Sequence, residues 1–301
     1  MPILVDFNQT AISTLMAQMT PKEVEKFAEE HVPLLKYMIL NCLRSYRTKY
    51  GAEFGELIIC TDRNSWRKKA YAQYKAHRHT ERAASSINWT LIFDSLYDLQ
   101  RDLKENFPYC VMNVDGAEAD DVIAVLCEYF SENEYSQGGG MFEDSDEPQP
   151  VLIVSGDKDF VQLHKYKNVK QYSPVLKKWI KPKTTWQNQL RELIIRGDGG
   201  DGIPNFKSAD NVIVEGIRQS PIYEKDMPTY LSKDPEEFCS AEELVRFRRN
   251  EKLIDLTKIP EHVREAILRE YLAFEPKTRR GILAYFVKNR MRNMIELVGD
   301  F

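Results

Sequence analysis

The sequence predicts an α/β protein: a mostly parallel central sheet flanked by helices, with a smaller α-helical region after it. Three short runs, at residues 3–5, 57–60 and 151–154, are continuously apolar rather than alternating, as strands covered on both faces are. Helical periods lie between them, the βαβ arrangement that parallel pairing requires. After about Trp186 the only recurring pattern is helical.

Taken in order, the first run ends at Asp6. A helix follows over about Val32 to Tyr46, with Leu35, Met38, Ile39 and Cys42 on one face. The second run ends at Asp62 and leads into a basic stretch, in which Arg63, Arg67, Lys68, Lys69, Lys75, Arg78 and Arg82 face a single acid, Glu81. The next helix spans about Trp89 to Leu103, with Ile92, Leu96 and Leu99 in register, and a strand is expected around Tyr109 to Val114. In GAEADDVIAVL, the residues Val122, Val125, Leu126 and Tyr129 keep helical spacing, so Glu118, Asp120 and Asp121 occupy the first turn of a helix. Residues 131–150, SENEYSQGGGMFEDSDEPQP, read as a flexible acidic loop, and without GxxxxGK[ST] their glycines (Gly138 to Gly140) are no phosphate cradle. The third run leads through SGDKDF to Asp157 and Asp159, and RGDGGDGIP places Asp198 and Asp201 in a glycine-rich turn. Helical periods then cover residues 244–253, 263–271 and 282–297, and a second basic cluster holds Lys277, Arg279, Arg280, Lys288, Arg290 and Arg292.

Composition narrows the class. With 301 residues, 43% hydrophobic and 29% charged, the chain can bury a large core. Five cysteines, without a CxxC pair, argue against a disulfide framework or a zinc site and fit a reducing cytoplasm. No basic leader precedes Ile3 and no apolar run approaches membrane-spanning length, so neither secretion nor a membrane is expected. The net charge of −4 does not by itself suggest nucleic acid; the uneven distribution of the basic residues does.

The acids carry the chemistry. Ligands of open α/β sheets bind outside the carboxyl ends of the strands, where Asp6, Asp62 and Asp157 fall. With Glu118, Asp120, Asp121, Asp159, Asp198 and Asp201 they form an all-oxygen set that selects hard cations such as Mg²⁺, for which Mn²⁺ can substitute. So many acids exceed the need of one ion and suit two, roughly 3.5 to 4 Å apart. Capping and solvation would explain one such acid more easily than the whole set. Such a cage attracts phosphate, and Tyr71, Tyr74, Lys75 and Arg78 interleave rings and cations suited to bases and phosphates, the alternative being tyrosines turned into the core of an exposed basic helix.

The ordered set ILVDF, IICTDR, WRKKAYAQYKAHR, EADDVIA, SGDKDFVQL and GDGGDGIP resembles the 5′-nuclease superfamily of flap endonucleases and 5′→3′ exonucleases. LHKYKNVKQYSP and GILAYFVKNRM look particularly like its ribonuclease H branch in T-even phages. The resemblance implies a PIN-like catalytic domain over residues 1–185, with an arch or gateway at about 63–88, and a helical domain over 186–301 with a helix-three-turn-helix-like DNA-binding region. It implies a Mg²⁺-dependent hydrolase that removes RNA primers and adjoining DNA from 5′ ends during replication and cuts flaps. Asp6, Asp62, Glu118, Asp120 and Asp157 would surround one metal, Asp159, Asp198 and Asp201 the second, with Asp121 an outer ligand. Lys75 and Arg78 match the family's catalytic basic pair, to which Asp120 and Asp157 add the reacting-centre carboxylates; Arg67 looks like a phosphate contact. The implied substrates are DNA and RNA·DNA hybrid with a 5′ single-stranded end or flap. By analogy the partner is a single-stranded-DNA-binding protein, the protein a monomer, and the location the host cytoplasm of a phage.

The sequence departs from the family at Gly202, where relatives usually read GDxxDNIPG, so a potassium-assisted grip on duplex phosphates is not carried over. His77 and His79 are read as solvated and His164 as packing or capping. Rival readings fare worse. A binding-only relative should have lost acids from the set, and an aspartyl phosphatase commonly carries a second aspartate where this chain has Asn8. A PIN-type endoribonuclease would need neither the arch motif nor the helical half.

Overall fold

Six strands, β1 (Pro2–Asp6), β2 (Glu56–Cys60), β3 (Cys110–Met112), β4 (Val151–Val154), β5 (Val169–Ser173) and β6 (Lys178–Ile180), form one sheet in the order β3-β2-β1-β4-β5-β6. The computed structural model describes residues 1–133 and 148–301; most of the acidic loop read at 131–150, glycines included, lies outside the described residues. All pairings are parallel except that of β5 with β6. Leu4 sits in register with Ile58 on one side and Ile153 on the other, so β1 is flanked by its two partners through its full apolar run. The chain order reverses between β1 and β4, which makes their carboxyl ends the topological switch point.

The helices are α1 (Phe7–Gln18), α2 (Pro21–Glu25), α3 (Val32–Phe54), α4 (Trp66–Ala70), α5 (Ala76–Ala84), α6 (Trp89–Asn106) and α7 (Ala119–Glu132) in the first part. They continue as α8 (Trp186–Arg196), α9 (Met227–Ser232), α10 (Pro235–Phe238), α11 (Ala241–Ile254), α12 (Glu261–Leu272), α13 (Arg280–Lys288) and α14 (Arg292–Ile295). Alternate strand residues serve two cores. Ile3, Val5, Leu57, Ile59 and Val154 pack under α1, α3, α6 and α13, while Leu4, Ile58, Met112 and Ile153 pack under α7, α8, α11 and α12.

Two departures from the sequence reading have physical causes. The strands β5 and β6 are added: β5 alternates buried and exposed residues, and β6 is an exposed edge joined to it through Lys177 at φ 51°, so neither shows a continuous apolar run. The last helical period divides into α13 and α14 because Arg290 takes φ 57°. The second basic cluster lies far from the acids, since Arg279 pairs with Glu56 at the start of β2 (2.7 Å) and Lys277 reaches the carbonyl of Lys104 late in α6 (2.7 Å). It borders the amino-terminal edge of the sheet, opposite Asp62.

The end of the chain returns to the first core. The ring of Phe301 is fully buried 5.7 Å from that of Phe107 and 5.2 Å from that of Phe286, and Arg44 binds Asp300 at 2.7 Å. After α8, residues 206–216 are a succession of turns and the next helix, α9, has six residues.

Arg67 joins the layers. It is 3% exposed, and its guanidinium donates to Glu118 (3.1 Å) and Asp121 (3.0 Å) at the start of α7 and to the carbonyl of Leu253 at the end of α11 (2.8 Å). Its reading as a phosphate contact is therefore corrected: the side chain is enclosed and already bonded to two carboxylates and a carbonyl.

Two stability effects are expected. Phe301→Ala, which empties a ring-sized volume from a packed cluster, should cost about 3–5 kcal/mol in denaturant unfolding. Arg67→Met leaves the buried Asp121 carboxylate without its counter-charge and should cost about 3–5 kcal/mol, with a smaller loss in the Arg67→Met/Asp121→Leu double variant.

Candidate active site

The carboxyl ends of β1, β2 and β4 and the start of α7 open into one cleft of about 1390 Å³. Its lining includes Asp6, Asp62, Glu118, Asp120, Asp157, Asp159, Asp198 and Asp201, so eight of the nine acids read from the sequence share one space. Asp121 does not. It is fully buried, accepts from the Glu118 amide (2.9 Å) to complete a capping box and pairs with Arg67, so its reading as an outer metal ligand is corrected.

Local structure places each acid. Asp6 caps α1, accepting from the Gln9 amide at 3.0 Å, and Ser155 donates to its other oxygen at 3.3 Å. Asp62 accepts from the Ala119 amide (2.8 Å) and the Asn8 side chain (2.7 Å), which ties the end of the second strand to the amino terminus of α7. Asp157 receives the Asp159 amide at 3.0 Å. Behind that turn, Gln171 donates to the carbonyls of Ser155 (3.0 Å) and Asp157 (2.7 Å) and is itself bonded to His164 (3.2 Å), which gives His164 a packing role. Asp198 caps its own turn by accepting from the Gly200 amide at 2.8 Å.

Several acids are held by cations of the chain. Lys75 lies 2.6 Å from Glu118 and 3.7 Å from Asp201, Arg78 lies 2.7 Å from Asp201, and Lys158 lies 3.0 Å from Asp198. Among the described residues, no three His, Cys, Asp or Glu side chains are drawn together in a set that could hold a metal ion as they stand. The expected clustering is thus only partly formed: the acids line one cleft, but Glu118, Asp198 and Asp201 lean on ammonium and guanidinium groups and Asp62 on a helix end.

The remaining acids are under electrostatic stress. Burial, with Asp62 and Asp157 nearby, pushes the Asp6 carboxyl up to about 7. Burial and neighbouring carboxylates also push Asp120 and Asp159 well above the usual range, and burial is the largest cause of a rise at Asp157. At Glu118 burial acts upward too, but Lys75 and Arg67 outweigh it and bring the group down to about 2. One oxygen of Asp159 is buried with no hydrogen-bond partner. An orphaned carboxylate oxygen beside other acids fits a hard divalent cation, which would neutralise the repulsion that burial intensifies.

The tyrosines of the basic stretch are corrected as base-stacking residues. Tyr71 and Tyr74 are 7% and 3% exposed; the Tyr74 hydroxyl donates to Glu118 (2.7 Å) and approaches Asp201 (2.9 Å), and the Tyr71 hydroxyl donates to the Asp210 carbonyl (2.8 Å). They anchor the arch, whereas Lys75 and Arg78 reach the cleft. Lys75 holds φ 55° while its amide donates to the Asp201 carbonyl at 2.8 Å. Gly202 explains the sequence departure there: at φ 73°, a Cβ would stand 2.8 Å from the Gln73 carbonyl, so only glycine lets this turn touch the arch. His79 lines the cleft, and His77 is half-buried, with its Nδ1 buried without a partner. Sequence reasoning also missed Lys158 as a partner of Asp198, and Trp89, Phe93 and Tyr97 along the cleft wall. Their four-residue spacing was the available signal, one position off the buried stripe of α6.

Comparison with known proteins follows the same lines. Residues 3–191 match the family model described as the 5′-3′ exonuclease, N-terminal resolvase-like domain, and residues 189–301 match that described as T4 RNase H, C-terminal. The chain is 31% identical over 310 residues to the ribonuclease H of Enterobacteria phage T4, an alignment covering 99% of this chain and 95% of that one. In fold it is similar to a T5 protein co-crystallised with metal ions (TM-score 0.58, 17% identity, 90% of this chain and 98% of that one). A bacteriophage T5 flap endonuclease in a pseudo-enzyme-product complex with DNA and metal ions gives a TM-score of 0.57 at 16% identity, covering 90% and 97%. Two family models meeting at residues 189–191 span the chain from Ile3 to Phe301, and the protein belongs to the 5′-3′ exonuclease family of hydrolytic nucleases, as a homologue of the T4 ribonuclease H.

Proposed function

We propose that the protein is a Mg²⁺-dependent, structure-specific 5′ nuclease of DNA replication that removes RNA and adjoining DNA from 5′ ends and cuts 5′ flaps. The observation that carries this reading is the facing of eight carboxylates by Lys75 and Arg78 across one cleft. The substrate would be DNA or RNA·DNA hybrid with a single-stranded 5′ end. The DNA-bound T5 flap endonuclease supports a DNA substrate by its fold, and the T4 ribonuclease H supports an RNA-containing strand by its sequence.

Asp6, Asp120 and Asp157, with Asp62 and Glu118, would hold one divalent ion, and Asp159, Asp198 and Asp201 a second. When bound, such ions supply positive charge to the phosphate and lower the pKa of water enough for attack at neutral pH. The chain's own part is preorganisation. Tyr74 and Arg67 fix Glu118 from behind, Asp62 is fixed by the α7 amide and Asn8, and the Asp157 turn is fixed through Gln171. Lys75 is largely buried and Arg78 partly exposed (37% of its side chain), both already paired with acids, and a phosphate entering between them would replace Glu118 and Asp201 as their partner. Fixed cations of this kind stabilise charge that grows in the transition state without reorganising. No membrane-spanning helix occurs among the described residues; action in the host cytoplasm, as a monomer beside a single-stranded-DNA-binding protein, completes the proposal.

Cleavage of 5′-labelled and 3′-labelled flap, duplex and RNA·DNA substrates tests it. Asp157→Asn should reduce cleavage at saturating Mg²⁺ to background, and near wild-type activity would overturn the reading. Lys75→Ala or Arg78→Ala should lower kcat by about 100-fold or more with a smaller change in KM.

Stability should depend on pH and metal together. The Asp6 carboxyl is raised to about 7 in the folded protein, against about 3.9 unfolded. Its stabilising contribution is therefore full below about pH 4 and is lost as pH rises toward about 7. In EDTA, Tm should fall across that interval more steeply for wild type than for Asp6→Asn, and millimolar Mg²⁺ should restore more at about pH 8 than at about pH 5.

A further inference from the structure

Two turns supply the acids on one side of the cleft, and a single lysine ties them together. Lys158 stands between Asp157 and Asp159 in the turn after β4, yet it does not line the cleft as they do. Its side chain crosses instead to the turn after α8, where its ammonium lies 3.0 Å from Oδ2 of Asp198. The choice of oxygen matters. Oδ1 of Asp198 already accepts from the amides of Gly200 (2.8 Å) and Asp201 (3.3 Å). Oδ2 is therefore the atom that Asp198 has left to offer an ion, and Lys158 holds it. Asp159 lies within reach of the charges of Asp157 and Asp198, and one of its oxygens is buried without a partner.

An exposed ion pair commonly contributes little. This pair differs in its acid: the Asp198 side chain is 14% exposed and lines the cleft, whereas that of Lys158 is 58% exposed. The lysine can withdraw into water without opening a cavity, and the carboxylate cannot follow it. Burial opposes the charge on Lys158, but Asp198, Asp159 and Asp157 outweigh it and keep the ammonium protonated. A compact, strongly hydrated charge on a flexible stem suits a partner that must come and go. Asp201 is held differently, by Arg78 and Lys75, which line the cleft and remain there to meet phosphate. Lys158 has no such second use.

We propose that Lys158 is the resident counter-ion of the second metal subsite: it holds Oδ2 of Asp198 while the subsite is without metal and leaves when a divalent ion binds there. This deepens the nuclease reading above and rests on it for the presence of a second ion. An ammonium and a divalent ion on one oxygen repel each other, so they occupy it in turn. The exchange keeps the two turns together without metal and weakens the grip on the ion, because binding must first displace a charge. Lys158 is thus a positioning residue that sets how much divalent ion the subsite requires.

The test reads Mn²⁺ alone, from the electron paramagnetic resonance of the free ion in equilibrium with metal-stripped protein, and separately the Mg²⁺ concentration that half-saturates cleavage of a 5′ flap. Lys158→Met keeps the stem and removes the charge; its side chain is exposed, so the variant should fold as wild type does. Lys167→Met makes the same change at an exposed residue ahead of β5, at the opposite edge of the sheet. In Lys158→Met the weaker Mn²⁺ dissociation constant and the half-saturating Mg²⁺ should both fall by about 10-fold, while Lys167→Met stays at the wild-type values. In an Asp198→Asn background, adding Lys158→Met should leave Mn²⁺ binding unchanged, since the pair is already broken. Mn²⁺ binding that is unchanged or weaker in Lys158→Met, or equally improved in Lys167→Met, overturns the counter-ion, and cleavage by wild type then leaves the nuclease reading intact. Tighter Mn²⁺ binding confined to Lys158→Met, with no cleavage by wild type at any Mg²⁺ concentration, overturns the nuclease reading and keeps the counter-ion.

Discussion

Carboxylates crowded into a partly enclosed space repel one another, and burial removes the water that would screen them. The architecture of the cleft is organised around that constraint. The reversal of strand order between β1 and β4 brings Asp6 and Asp157 to the same edge, and the capping of α7 by Asp62 brings Asp120 and Glu118 beside them. The helix dipole offsets only a small part of the charge. Lys75, Arg78 and Lys158 offset more, each by leaning on a named acid. What they leave uncompensated, at Asp6, Asp120, Asp157 and Asp159, is the charge that the proposed divalent cations would offset.

The same constraint divides the arch in two. Arg67, Tyr71 and Tyr74 turn inward and hold the arch to α7, the Asp198–Asp201 turn and the C-terminal helices. Lys75 and Arg78 turn toward the cleft from a base made rigid by those contacts. The left-handed backbone at Lys75 and the close approach at Gly202 belong together: one bends the arch toward the turn and the other gives it room. Arg67 accordingly holds Glu118 and Asp121 from within the core.

The sheet was legible where its strands are buried on both faces, because such strands leave uninterrupted apolar runs that polar surfaces cannot imitate. It was illegible at β5 and β6, whose half-exposed residues look like loop. The acids were legible for a related reason: an aspartate directly after a buried strand has few places to be except the carboxyl edge. The basic stretch was ambiguous at every residue, since a cation or ring serves equally in a core, on a surface or against a ligand, and Arg67 took the first of these.

By itself, the sequence determined the α/β class, the edge of the sheet at which the acids gather and their carboxylate character, since hydrophobic burial and charge type are properties of local sequence. The tertiary structure decided which cation faces which acid, that Asp121 turns away, that the second basic cluster stands at the opposite edge, and that Trp89, Phe93 and Tyr97 look into the cleft. These are matters of direction between segments distant along the chain, and direction is set only when the layers pack.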